Sequence, residues 1–209
     1  MLMYDHIKLT KEKIKMNQNG RSMIEMLGDL SIIGVLSVGV IAGYSKAMSK
    51  YRTNKTIEQI TQISTGIRTL YSGQRSYDGV SGTVLRKAKI LPESAFDGSG
   101  SSSSVAVNPF GGNITVAVRG KYSRSDKKAF YIQITNVPDD ACVELLSQEW
   151  GDATSLISYG IGNNATSFGS TNSCRDSGSL RCGKNGFMEM VTVISACDGN
   201  NNTLTWSFY

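Results

Sequence analysis

The 209 residues contain one histidine, His6, and three prolines. No histidine follows residue 6, so Ser-His and Cys-His nucleophile schemes lack their base anywhere in the body of the chain. No G-x-x-x-x-G-K loop occurs to cradle a phosphate. The four cysteines, Cys142, Cys174, Cys182 and Cys197, include no C-x-x-C pair, so a zinc site lacks its usual spacing. Asp152, Asp176, Glu189 and Asp198 are oxygen donors, but their spacing is not that of a calcium loop. Asp139-Asp140 is better explained as the start of a helix than as a catalytic carboxylate pair. These absences predict no enzyme activity, no cofactor and no metal.

Net charge is also small. The formal net charge is +5, and the first 20 residues hold Lys8, Lys11, Lys13 and Lys15 against Asp5 and Glu12. Mild, scattered positive charge without interleaved aromatics argues against nucleic acid as a partner.

What is present begins at Gly20. A basic, polar leader ends there, and an apolar stretch runs from Met23 to Gly43 with only Glu25 and Asp29 charged. As a helix this stretch spans roughly 31 Å, enough to cross the hydrocarbon core. A secretory signal places its cleavage site after the apolar region. Here the plausible processing point precedes it, so cleavage would leave the hydrophobic segment on the mature protein. The positive leader would stay cytoplasmic. Gly28, Gly34, Gly39 and Gly43 fall within the stretch, and small residues let helix backbones approach closely. A carboxylate inside such a segment is costly unless paired, so Glu25 reads as a residue waiting for a cation.

Beyond Gly43 the pattern turns amphipathic. Met48, Tyr51, Ile57, Ile60, Ile63, Ile67, Leu70 and Tyr71 recur mostly three or four apart, which predicts one helix from about Ser22 to Ser72. Val84–Ile90 reads as a short helix, and the Gly/Ser run from Asp97 to Ser104 as an exposed loop. Ile114–Val118 and Ala129–Ile134 read as an antiparallel hairpin, and Ala141–Trp150 as a short helix opened by Pro138-Asp139-Asp140. Gly151–Gly186 reads as a long irregular segment, Phe187–Ala196 as a strand rich in β-branched residues, and Thr203–Phe208 as an edge strand. The expected class is α+β: a long N-terminal helix whose second half packs on a C-terminal antiparallel sheet. The expected divisions are a leader over 1–20, a transmembrane and assembly helix over 21–43, and an exported globular domain over 44–209.

Gly20 followed by Arg21-Ser22-Met23-Ile24-Glu25 resembles the processing site of the type IV pilin family. That pattern is a glycine, a variable residue, three small or apolar residues, a glutamate and then an apolar helix. The resemblance covers about residues 16–48 directly. It implies a ladle-shaped fold, cleavage between Gly20 and Arg21 by a membrane prepilin peptidase, and N-methylation of the Arg21 amine. It further implies an inner-membrane precursor, handling by the inner-membrane pilus assembly machinery, and polymerisation with other pilin subunits into a surface pilus. Glu25 would pair with a neighbouring subunit's terminal amine.

Two departures stand out. The mature chain would begin with Arg21 rather than an apolar residue, and a second acid, Asp29, lies one turn beyond Glu25. Arg21, Glu25 and Asp29 share a helix face, so Asp29 is expected to offset Arg21.

An even cysteine count behind an export signal favours disulfides, and the four residues alone allow three pairings. The size and late cysteines look most like the type IVb branch, and that likeness implies Cys142–Cys197, leaving Cys174–Cys182. The expected function is a structural pilus subunit supporting adhesion, aggregation, motility or conjugation. The alternatives are a pseudopilin of a type II secretion system and a single-pass membrane protein with an exported binding domain.

Overall fold

The computed structural model describes residues 22–96, 105–119, 127–150, 156–162, 181–183, 189–199 and 201–209. The chain divides into two compact units, Met1–Ser45 and Lys46–Tyr209. Helix α1 covers Met23–Tyr71, as the three-to-four spacing predicts. Residues 22–45 form the described part of the first unit.

In the second unit, α1 buries one stripe. Ile60, Ile63 and Ile67 are fully buried, and the stripe continues toward the N-terminus as Thr53 and Thr56. Those threonines can be buried because each hydroxyl donates back to the helix, Thr53 to Ser49 O at 3.1 Å and Thr56 to Arg52 O at 2.9 Å. Hydrophobic spacing alone pointed to Tyr51 and Leu70 instead, and both are exposed.

After α1 come α2 (Gly82–Lys87), a 3₁₀ turn (Glu93–Ala95), β1 (Ala106–Val107), β2 (Asn113–Arg119) and β3 (Ala129–Val137). Then follow α3 (Asp139–Ser147), β4 (Leu156–Ile161), β5 (Arg181–Gly183), α4 (Met190–Ala196) and β6 (Asn202–Phe208). The strands form one antiparallel sheet in the order β1-β2-β3-β6-β4-β5. Alternation on β3 puts Phe130, Ile132 and Ile134 into the core, where Ile114, Val116, Leu204, Trp206 and the α1 isoleucines join them. Gly66 marks a close approach on α1: an added Cβ there would come within 2.7 Å of the Ile90 side chain.

Three expectations are corrected. Thr203–Phe208 is not an edge: β6 lies between β3 and β4, and every residue from Asn202 to Phe208 is buried. The Gly151–Gly186 segment contains β4 and β5 and is therefore not wholly irregular. The β-branched run Val191-Thr192-Val193-Ile194 is helical in α4, with Val193 buried. Tertiary docking overrides strand propensity there.

The loop between β1 and β2 is built around Asn108. Its Oδ1 accepts from the Phe110 and Gly112 N–H groups, and its Nδ2 donates to Thr135 O at 2.8 Å. Gly112 has no room for a side chain, since a Cβ would lie 1.9 Å from Thr135 O. On β3, Asn136 takes a positive φ of 61° at a register shift, and its Nδ2 donates to Phe110 O.

Candidate functional site

The two expected functional regions are the start of α1 and the cysteine-bearing part of the second unit. At the start of α1, the Ser22 carbonyl accepts from the Glu25 N–H at 2.9 Å and the Met26 N–H at 3.1 Å. Glu25 thus sits in the first turn, where a carboxylate meets the positive end of the helix dipole. It is exposed, and Asp29, one turn later, is partly exposed. Gly20 and Arg21 lie outside the described residues.

The apolar side chains that follow are uncovered in the isolated chain: Met23 is 85% exposed, Val35 76% and Ile41 68%. Among the described residues this is one helix long and apolar enough to cross a membrane. The hydroxyls within it are satisfied internally, Ser31 donating to Gly28 O and Ser37 to Ile33 O, each at 2.7 Å. They therefore add no unpaired donor to an apolar setting. At Gly28, Gly34, Gly39 and Gly43 an added Cβ would meet nothing within 4 Å. Each glycine costs the helix about 1 kcal/mol relative to alanine, so a reason for it within the single chain is missing. By the helical repeat, Gly28, Gly39, Gly43, Glu25 and Asp29 fall within an arc of about 100°.

In the second unit, Cys142 on α3 and Cys197 after α4 form a disulfide, with both residues buried. Cys182 lies on β5, paired in register with Gly160, and Cys174 lies outside the described residues, as therefore does the expected Cys174–Cys182 bridge. Asp152 and Asp176 also lie outside the described residues, while Glu189 and Asp198 flank α4.

Several residues that fix this corner were not singled out by sequence reasoning. Asn202 Nδ2 donates to Val137 O, Asp139 Oδ1 and Gly199 O at 3.1, 3.0 and 2.7 Å, tying the end of β3, the start of α3 and the start of β6 together. The only sequence signal was the Asn200-Asn201-Asn202 turn. Ser49 Oγ donates to Asp140 Oδ2 at 2.5 Å and Lys50 Nζ to Glu144 Oε1 at 2.7 Å, so α3 docks on α1 by polar contacts. Trp150 packs against Trp206 with ring centroids 5.0 Å apart, and its Nε1 donates to Leu145 O.

Arg119 reaches over the other face of β6 and donates to Ser207 Oγ at 2.5 Å; burial pushes its pKa down to about 10. Among the described residues no group of three His, Cys, Asp or Glu side chains converges as a metal site.

The family model described as PilS N terminal matches residues 50–208. The chain belongs to this family. Two curated relatives share the name "Major structural subunit of bundle-forming pilus". They come from Escherichia coli O127:H6 (strain E2348/69 / EPEC) and Escherichia coli O111:H-. Each is 29% identical over 161 residues, covering 75% of this chain and 79% of the relative. The solved structure titled "Crystal structure of type IV b pilin from Salmonella typhi" aligns with 73% of this chain and 97% of its own. Its TM-score is 0.52 at 20% identity, a likeness in fold. Family, relatives and fold together make the chain a type IV pilin of the IVb branch, with the α+β class read from the sequence.

Proposed function

We propose that this family member is a structural pilus subunit, made as a single-pass inner-membrane precursor and polymerised through α1. In this reading residues 1–20 are a leader removed by a prepilin peptidase, and Arg21 becomes the N-methylated first residue. Residues 21–43 anchor the precursor, and 44–209 form the exported domain. The relatives are named as major structural subunits of a pilus, which supports the same role here.

The observation that carries the reading is the uncovered first part of α1. Burying each large apolar side chain is worth about 1.5–3 kcal/mol, so this surface calls for a lipid or protein cover. A membrane supplies the cover before assembly and the helices of neighbouring subunits supply it afterwards. The glycines then serve close helix packing, a reason the single chain does not provide.

Glu25 selects the register of assembly. Its carboxylate is costly in an apolar bundle unless a cation meets it, and the terminal amine of a neighbouring subunit is such a cation. Arg21 adds a second cation, which Asp29 offsets through a charge-assisted bond within a subunit or between neighbours. The pilus assembly machinery of the inner membrane is the expected partner in this step.

N-terminal sequencing of the mature protein, with electron microscopy of surface filaments, tests the reading. The expected result is a chain starting at N-methyl-Arg21 and present in filaments. A mature protein that retains Gly20, or that has lost the apolar helix, would overturn it.

A further inference from the structure

Helix α4 turns one side inward and leaves an apolar face outside. Val193 is buried and Cys197 is held in the bridge to α3, while Val191 is 78% exposed, Ile194 58% and Met190 52%. Residues 190, 191 and 194 share one side of the helix. The charges around that face are acids. Glu189 and Asp198 flank α4 and are exposed. Glu149, also exposed, stands two residues past Ser147, whose Oγ lies 3.7 Å from Met190 Sδ. We propose that this face docks on the α2 corner of a second copy of the chain.

The charge account of the α3–α4 corner is one-sided. No Lys or Arg occurs in 129–150 or 189–209. Asp139, Asp140 and Glu144 are engaged within the subunit by Asn202, Ser49 and Lys50. The terminal carboxylate of Tyr209 stands at the far end of β6 and adds no cation. The α2 corner carries the opposite sign. Lys87 and Lys89 are exposed with exposed Ala88 between them. The acid of that corner, Glu93, is already bonded by Arg86 Nε at 2.6 Å. An apolar counterpart is present too: Leu70, exposed on α1, lies one turn past Gly66, which faces the Ile90 side chain. A lipid surface would call for Lys and Arg around the apolar face of α4, and acids stand there instead.

The two patches are far apart on one subunit. α3 docks on α1 at Ser49 and Lys50, and Ile90 meets α1 at Gly66. Along a helix that separation is roughly 24 Å. α2 lies against β2 and α3 against β6, with β3 between those strands. The patches therefore meet only between copies. Such a contact is heterologous: each docked pair keeps one free patch of either kind, so it propagates rather than closing as a twofold dimer. Burial of Val191, Ile194 and Met190 supplies the driving force, and the charges set partner and register.

This contact rests on the filament-subunit reading and gives it a further assembly surface in the second unit. Charge exchange in the full chain tests it. Glu189→Lys with Asp198→Lys should lower filament yield about tenfold by placing like charges together, and Lys87→Glu with Lys89→Glu should do the same. All four changes in one chain should restore the yield. These side chains are exposed, so thermal unfolding should keep the wild-type midpoint. A second arm needs no filaments. Detergent-solubilised Val191→Cys and Ala88→Cys chains, mixed and treated with a short bis-maleimide, should cross-link to each other above the wild-type background. Undiminished filaments in either charge pair, no recovery in the combined chain, or self-linking of Val191→Cys as strong as the mixed product would overturn the contact and leave the pilus reading standing. A mixed cross-link from a chain that is absent from surface filaments would overturn the pilus reading and leave the contact.

Discussion

Cys142 and Cys197 are joined with their Cα atoms 5.9 Å apart, although they stand 55 positions apart in sequence. The bridge fixes α4 to α3, and α3 in turn is held to α1 through Lys50 and Glu144. A covalent link and a surface ion pair act in series here, and their expected strengths differ.

Closing a loop of this length stabilises the fold by about 4 kcal/mol in the chain-entropy account. Replacing both cysteines by serine should lower the denaturant midpoint accordingly, and reduction of the intact chain should do the same. The Lys50–Glu144 pair is partly exposed, so Glu144→Gln should cost no more than about 1 kcal/mol. Chemical denaturation of the two variants side by side checks both. A larger loss from Glu144→Gln than from the cysteine pair would reverse this ranking.

Gly112→Ala places a methyl where the Thr135 carbonyl already stands. The β1–β2 loop or β3 must shift, and a loss of about 2–4 kcal/mol is expected. Gly73→Ala is the control, because its Cβ would meet nothing within 4 Å. That change should stay within about 0.5 kcal/mol. Thermal unfolding of the two variants gives the comparison.

Asn202→Asp replaces a donor with a carboxylate beside Asp139 Oδ1, now 3.0 Å from the amide. Two carboxylates sharing a site raise the folded-state pKa of one of them above its unfolded value of about 4. The native state then binds the extra proton more tightly, so stability falls as pH rises through that range. The variant should be weak at neutral pH and partly recover toward pH 4. Unfolding midpoints across that range read the slope, and a flat difference from wild type would count against the account.

Glu25→Ala should abolish filaments while leaving the unfolding midpoint of the second unit unchanged, since Glu25 is exposed and belongs to the first unit. Asp29→Ala should reduce filament yield in a salt-dependent way. If Asp29→Ala filaments matched wild type while Arg21→Ala abolished assembly, the pairing of Arg21 with Asp29 would be wrong. Filament counts by electron microscopy at two ionic strengths decide between these outcomes.

Much of the fold was legible because local chemistry set it. The α1 isoleucine spacing, the alternation on β2 and β3 and the acids opening α3 each repeat with the period of their element. The apolar run with its early carboxylate, on which the proposed assembly segment rests, is a local feature of the same kind.

The centre of the sheet was not legible. β6 reads as an edge because Thr203, Thr205 and Ser207 alternate with apolar residues, as on a half-solvated strand. In the structure Gln133 Nε2 reaches Thr205 Oγ1 and Arg119 Nη1 reaches Ser207 Oγ, so side chains from other strands cover that face. The cover is made by residues 72 and 88 positions away, a separation no local pattern reports.

The sequence by itself determined an apolar helix headed by Glu25, a second amphipathic half, and an α+β body with cysteines set for oxidation. Those features follow from side-chain transfer energies and backbone periods, which act over a few residues. Only the tertiary structure decided that β6 sits between β3 and β4 and that a β-branched run becomes α4. Each of these depends on contacts distant in sequence: burial covers β6, while α4 is held by buried Val193 and the Cys142–Cys197 bridge with Val191 and Ile194 exposed, against a local preference that spans roughly 1 kcal/mol.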